Sequence, residues 1–345
     1  MTKTVLFVAD ASVEIGAGHV ERCMALAEQF RHREWRCIFM SSPESASIVP
    51  SLAQFERLST AQRFEGGSDA PLQDLAPDGC DLAIVDHYRW AASQESQLRV
   101  GSTTIMAIDD LANREHDCDI ILDQTVGRLE TTYDGLVPPN CRRLVGATYA
   151  LLRPEFSYCR ETALALRHER RPARVLVNFG GTDPRGNTLL ALRALRTTGL
   201  RPAIDVAMGA GAPRLAEVEA LCKSGGIEAT LHVNSRQISN LMISADLAIG
   251  AAGVSAIERC VVGLPSLILI DADNQSAVAH ELGQRGAAVI VGRGGDVGEG
   301  VLASAIADLY QAPDRMLSMA SAAAQLCDGL GARRTADFLE TCLAS

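Results

Sequence analysis

The sequence predicts an α/β protein made of two Rossmann-like, doubly wound domains facing each other across a cleft. Three observations predict it. Short apolar runs alternate with helix-period patterns along the whole chain, the rhythm of parallel strands covered by helices on both faces. At 345 residues the chain exceeds one ordinary core and suits two. Glycine-rich stretches occupy corresponding places in the two halves: Ile15-Gly16-Ala17-Gly18-His19 in the first, Gly180-Gly181-Thr182-Asp183-Pro184 and Gly250-Ala251-Ala252-Gly253-Val254-Ser255 in the second. Each follows an apolar run and leads toward a helical pattern. Such a junction aims backbone N–H groups and the positive end of a helix at one spot, which suits phosphate.

Taken in order, the first-half strands are expected over residues 5–9, 37–40, 82–85, 104–108 and 120–122. Those of the second half are expected over 174–179, 204–208, 229–232, 247–249, 266–270 and 288–291. Helical patterns fall over 20–30, 188–197, 215–223, 237–244, 256–262 and 277–285, and two more close the chain over 313–326 and 333–343. The boundary is expected near residues 151–173. There Leu151-Leu152-Arg153-Pro154 gives way to the charged stretch His168-Glu169-Arg170-Arg171-Pro172, and a fresh strand starts at Arg174. This sets an N-terminal domain over 1–155, a second domain over 170–330, and a final helix over 331–345 that packs back toward the first.

Hydrophobic residues at 47% and charged residues at 21% are ordinary for a soluble globular chain. A net charge of -10 argues against a nucleic-acid partner. It leaves room for an anionic small ligand, because local N–H groups bind phosphate inside an acidic protein. No apolar run reaches the length of a membrane span. The N-terminus enters a strand-like run with no signal-peptide pattern, so a cytoplasmic protein is expected. The ten cysteines are scattered and form no CxxC pair, so reduced structural thiols are expected rather than a disulfide framework or a zinc site. No cofactor is implied, and the oligomeric state is left open.

Several residues in the first half are placed to carry chemistry. His19 sits where the first glycine loop, with Gly16 and Gly18, turns into a helix at the ligand-binding edge of a sheet. The helix N-terminus disfavours imidazolium, so a neutral ring able to accept a proton is one reading. A capping or merely polar loop histidine is the other. Asp10, at the end of the first strand, either orients the ring or serves as a turn residue. Asp86 and Tyr88 close another strand in Asp86-His87-Tyr88, where an acid can bind or move a proton and a tyrosine can bond a sugar. Asp109-Asp110 closes the next strand. Adjacent strand residues point to opposite faces and no third ligand is evident, so a metal site is not expected.

In the second half, Gly180, Gly181 and Thr182 let a ligand approach the backbone and offer it a hydroxyl. This is neither a Walker loop nor GxGxxG, so ATP hydrolysis and nicotinamide chemistry lack support. Gly250, Ala252, Gly253, Val254 and Ser255 form the better phosphate loop, directly before a helix. Glu258, in that helix, can accept bonds from ribose hydroxyls or simply complement the helix dipole. Asn274 and Gln275 open a further helix, as readers of sugar or phosphate or as plain N-caps.

The combination resembles one family. Asp10-Ala11-Ser12-x-x-Ile15-Gly16-x-Gly18-His19-x-x-Arg22-Cys23 is similar to the opening motif of the UDP-2,4-diacetamido-2,4,6-trideoxy-β-L-altropyranose hydrolases of pseudaminic acid biosynthesis. The likeness continues at Val85-Asp86-His87-Tyr88, at Ile108-Asp109-Asp110-Leu111-Ala112-x-Arg114-x-His116-x-Cys118-Asp119 and at Leu122-x-Gln124. It extends through the glycine motifs of the second half, Glu258 and Asn274-Gln275. It covers nearly the whole chain in order. The resemblance implies a GT-B fold, like that of the peptidoglycan UDP-N-acetylglucosamine transferase. It implies metal-independent, inverting hydrolysis of a UDP-linked diacetamido trideoxy sugar to UDP and free sugar, with flagellin or surface glycans as the destination. His19 would be the base that activates water, with Tyr88 and Asn274 in the same site, UDP on the second domain and ribose near Glu258. A glycosyltransferase of the same fold is the alternative, with His19 acting on an acceptor hydroxyl. A nucleotide-sugar-binding protein without turnover is the third reading.

Overall fold

The computed structural model describes residues 2–12, 14–59, 79–169, 173–235 and 237–344. The chain divides into two units, Met1–Arg153 with Leu330–Ser345, and Pro154–Gly329. The first unit runs through β1 (Thr4–Ala9), α1 (Gly18–Arg31), β2 (Arg36–Ser41), α2 (Pro43–Ile48), β3 (Glu56–Ser59), β4 (Cys80–Asp86), α3 (Ala92–Leu98), β5 (Ser102–Ile108), β6 (Ile120–Asp123) and β7 (Arg142–Val145). All pairings are parallel, in the order β3-β2-β1-β4-β5-β6-β7. The order reverses between β1 and β4. That reversal is the switch point at which doubly wound sheets open a crevice at their C-terminal edge.

Strand β1 shows why the sheet forms. Val5, Phe7 and Ala9 enter one core with Leu26 and Phe30 of α1, while Leu6 and Val8 enter the other with Ile38, Val85 and Trp90. Successive side chains alternate between faces, so a strand apolar at every position is one buried on both sides.

The second unit begins with α4 (Pro154–Glu169), β8 (Arg174–Asn178), α5 (Asn187–Thr197), β9 (Ala203–Met208), α6 (Leu215–Lys223), β10 (Glu228–Val233) and α7 (Ile238–Ser244). It continues with β11 (Leu247–Ala251), α8 (Val254–Val261), β12 (Ser266–Ile270), α9 (Ser276–Gln284), β13 (Val289–Arg293), α10 (Glu299–Tyr310) and α11 (Pro313–Leu326). Its parallel sheet has the order β10-β9-β8-β11-β12-β13, so its switch point lies between β8 and β11. Helices α5 and α10 cover one face, where Val175, Val177, Ile249, Leu267 and Leu269 meet Leu192 and Ile306.

The last helix, α12 (Gly331–Ala344), returns to the first unit. Ala332, Ala336 and Leu339 share the core of β1 and α1, and their i, i+4, i+7 spacing makes one helical stripe. Arg33 at the end of α1 pairs with Asp337 and Glu340. Gly331 admits no side chain, because a Cβ there would stand 2.3 Å from the Ala150 carbonyl oxygen.

The strands expected from sequence are all present, but β3 and β7 were not among them. Residues 154–169, within the expected boundary region, form a helix that belongs to the second unit. The charged stretch 168–172 lies partly outside the described residues, at 170–172. Among the described residues no helix is long and apolar enough to cross a membrane.

Candidate functional site

In the first unit, Asp86 is the last residue of β4 and pairs in register with Ala9, the last of β1. It therefore stands at the switch point. His19, the second residue of α1, hangs over it, and its Nδ1 lies 2.6 Å from Asp86 Oδ1. Arg22, one helical turn on, grips the same carboxylate through Nε to Oδ2 at 2.5 Å and Nη2 to Oδ1 at 2.6 Å. All three side chains are buried. Burial alone would raise the Asp86 carboxyl, but the charge of Arg22 and the hydrogen bonds that Arg22 and His19 donate outweigh it and hold the group well below the usual carboxylate range. Burial likewise opposes the charge on Arg22, and Asp86 more than restores it.

This network fixes the histidine tautomer. An ionised carboxylate only accepts, so in the neutral ring His19 Nδ1 carries the proton and donates it, which leaves the lone pair on Nε2. Arg22 Nη2 sits 3.2 Å from His19 Nδ1. Both atoms are donors sharing one carboxylate, so the contact is an approach and not a bond. Tyr88 stands edge-on to the imidazole, with ring centroids 4.4 Å apart and planes at 89°. Its hydroxyl donates to Asp110 Oδ2 at 3.3 Å, and Arg22 Nη1 reaches the same oxygen at 3.1 Å. His19, Arg22, Asp86, Tyr88 and Asp110 thus form one connected cluster.

Asp10 lies outside that cluster. Its Oδ1 accepts from the Ser42 N–H at 2.5 Å, and its Oδ2 faces His87 Nε2 at 3.3 Å. Of the two roles expected for it, orienting His19 is excluded by these contacts, since Asp86 holds that ring. Gly16 closes a short turn by exchanging backbone bonds with Ser12. Its φ of 78° explains the glycine. Gly18 is the first residue of α1.

Asp109 proves to be a structural acid. It accepts from Arg114 at 2.6 Å and from the Ala112 N–H at 2.7 Å, and Tyr133 donates to it at 3.1 Å. His116, beside it, bonds Glu95 at 2.7 Å. Burial opposes charge on His116, yet Asp109 and Glu95 push its pKa up to about 9. The motif from Asp109 to His116 therefore folds its own loop against the sheet. Among the described residues no group of three or more histidine, cysteine or acidic side chains is arranged to hold a metal ion.

In the second unit, the glycine motifs end β8 and β11, the two strands at its switch point. Gly180 has φ 83°, and space is open where a Cβ of Gly180 or Gly181 would stand. Thr182 is half-buried. Asp183 then caps α5, accepting from the Asn187 and Thr188 N–H groups at 2.9 Å each. The N-terminus of α5 is thus already occupied by a carboxylate. At α8 the N-cap is Gly253, with no side-chain capping bond, and among the described residues no carboxylate accepts from the first N–H groups of that helix. Val254 and Ser255 form its first turn and are half-buried, while Ala252 is buried behind them. Glu258 lies in the second turn and is buried.

Gln275 Oε1 accepts from the Ala252 N–H at 3.3 Å and from the Asp271 N–H at 3.1 Å. It staples the loop after β11 to the loop after β12. Asn274 beside it is exposed. Asp271 at the end of β12 is a residue the sequence reading missed. Burial and the neighbouring Asp183 push its carboxyl up to about 6.

No family model matches the chain. It is 25% identical over 284 residues to the UDP-2,4-diacetamido-2,4,6-trideoxy-beta-L-altropyranose hydrolase of Campylobacter jejuni, covering 82% of this chain and 97% of that protein. The chain resembles that hydrolase family. It is also 24% identical to the spore coat polysaccharide biosynthesis protein SpsG of Bacillus subtilis, over 96% of each chain. Among solved structures, MurG of Acinetobacter baumannii superposes with a TM-score of 0.69 at 15% identity, over 99% of this chain and 100% of that one. Likeness at that identity speaks for the fold alone. The fold is GT-B.

Proposed function

We propose that this chain hydrolyses a UDP-linked diacetamido trideoxy hexose, releasing UDP and the free sugar. The observation that carries the reading is the His19–Asp86 contact of 2.6 Å, locked by Arg22, which leaves Nε2 as the proton acceptor. In this reading Nε2 takes a proton from water as the water oxygen bonds to the anomeric carbon. The bond from that carbon to the UDP oxygen breaks on the opposite side, so the configuration inverts. UDP leaves as an anion and needs N–H donors rather than a general acid. The uncapped start of α8, at Gly253, Val254 and Ser255, offers such donors. Gly180, Gly181 and Thr182 would border the nucleotide, and Glu258 would take the ribose hydroxyls. Tyr88 and Asn274 would contact the sugar, with Gln275 holding the loop in place.

The similarity to the Campylobacter hydrolase supports the substrate class. Incubation with UDP-2,4-diacetamido-2,4,6-trideoxy-β-L-altropyranose in buffer alone is expected to give UDP and free sugar in equal amounts. UDP that appears only after an acceptor alcohol is added would make the chain a glycosyltransferase instead.

A further inference from the structure

Arg259 lies in the second turn of α8 and is 1% exposed. Its Nε donates to Ser266 Oγ at 3.0 Å and its Nη2 to the Ala251 carbonyl at 2.6 Å. Its Nη1 has no hydrogen-bond partner, and among the described residues no carboxylate bonds the guanidinium, although Glu258 beside it on α8 favours its charge at a distance. A buried guanidinium without a counter-charge is costly. Burial pushes its pKa down to about 10, which leaves it charged at neutral pH.

The chain makes room for this charge. A Cβ on Gly250 would stand 2.9 Å from Nη1 and 2.3 Å from the Asn178 carbonyl oxygen. Gly250 is therefore glycine for the sake of what lies behind the loop, where the sequence reading expected a ligand in front. By drawing the Ala251 carbonyl inward, Arg259 also orients the whole Ala251–Ala252 peptide, whose N–H donates to Gln275. A full positive charge behind the loop and the partial positive end of α8 thus act at the same place. Glu258, next to Arg259 on α8, favours that charge through its field, but among the described residues no carboxylate accepts from the first N–H groups of α8 as Asp183 does at α5.

We infer that Arg259 is a positioning residue of the nucleotide site: a fixed buried cation, behind the loop that follows β11, whose counter-charge is the diphosphate of the ligand. The inference rests on the UDP reading of that loop and adds the source of its charge selectivity. The guanidinium holds the loop and its field strengthens binding in proportion to ligand charge, without requiring contact.

Calorimetric titration of the full chain with uridine, UMP and UDP tests this. Wild type is expected to bind more tightly with each phosphate. Arg259→Gln keeps a donor for the Ala251 carbonyl but drops the charge. It is expected to weaken UDP by about tenfold or more, a difference of about 1.4 kcal/mol per tenfold, and to leave uridine unchanged. Arg259→Lys keeps the charge and is expected to stay within about threefold of wild type for UDP. If the glutamine chain does not fold, Arg259→Met carries the same comparison, since it removes an unpaired buried charge. A folded neutral variant that binds UDP like wild type overturns the inference and leaves the UDP reading standing. Equal losses for uridine and UDP overturn it too, by marking a structural role. A wild type that binds no UDP overturns the reading itself and the inference with it.

Discussion

Replacing His19 by glutamine is expected to lower turnover of the UDP-sugar by about 10²–10⁴-fold, the range for loss of a positioned general base. UDP affinity should remain within about twofold of wild type, because the α8 loop that would hold UDP belongs to the other unit and to other residues. The substitution is chosen for its geometry. A glutamine can still donate to Asp86, so the buried carboxylate keeps its partners while the basic nitrogen is lost. No second imidazole replaces it within the cluster, since His87 bonds the Arg89 N–H through Nδ1 and faces Asp10 through Nε2. Single-turnover UDP release and calorimetry of UDP separate the two quantities. Unchanged turnover with weakened UDP binding would show that His19 serves the nucleotide and not the water.

Asp86→Asn is expected to damage both activity and stability. An amide can donate to His19 Nδ1, which would place the proton on Nε2 and remove the base. The analogous tautomer error in a histidine–carboxylate pair costs up to about 10⁴-fold in rate. Arg22 would lose its bidentate partner and keep Asp110 at 3.1 Å. Breaking a buried pair from one side costs about 3–5 kcal/mol. The surviving contact places this case near the lower end, a fall of roughly 6–12 °C in Tm for a unit of this size. Scanning calorimetry with the rate assay reads both. A variant that retains wild-type turnover would show that the Asp86 contact does not set the tautomer on which the mechanism depends.

What the sequence reveals, and what it hides, follows from where each residue sits. Central strands such as β1 and β4 are apolar at nearly every position because helices cover both faces, so their runs stand out. The edge strands of the first sheet do not. β3 reads Glu56-Arg57-Leu58-Ser59 and β7 reads Arg142-Arg143-Leu144-Val145. Charges on an edge discourage further strand addition and also erase the apolar run. Helix α4 is hidden by its own polarity, since Pro154 at its start reads as a break although proline suits the first helical turn.

The cluster around His19 was legible in three of its members and not in its pairings. His19, Asp86 and Tyr88 stand out because each lies at a strand end or a glycine loop. Which acid serves His19 depends on the β1–β4 register, which brings Asp86 beneath α1 and leaves Asp10 turned toward Ser42. Arg22 had a signal: it is three residues beyond His19 and so shares its helical face. Arg259 had none, because a cation buried behind a loop looks in sequence like any surface arginine.

The claim on which the account depends is that His19 activates water at the anomeric carbon. Turnover in ¹⁸O-labelled water, followed by mass spectrometry of both products, tests it most directly. The account predicts the label in the free sugar and none in UDP; label in the UDP phosphate would mean attack at phosphorus and would contradict it.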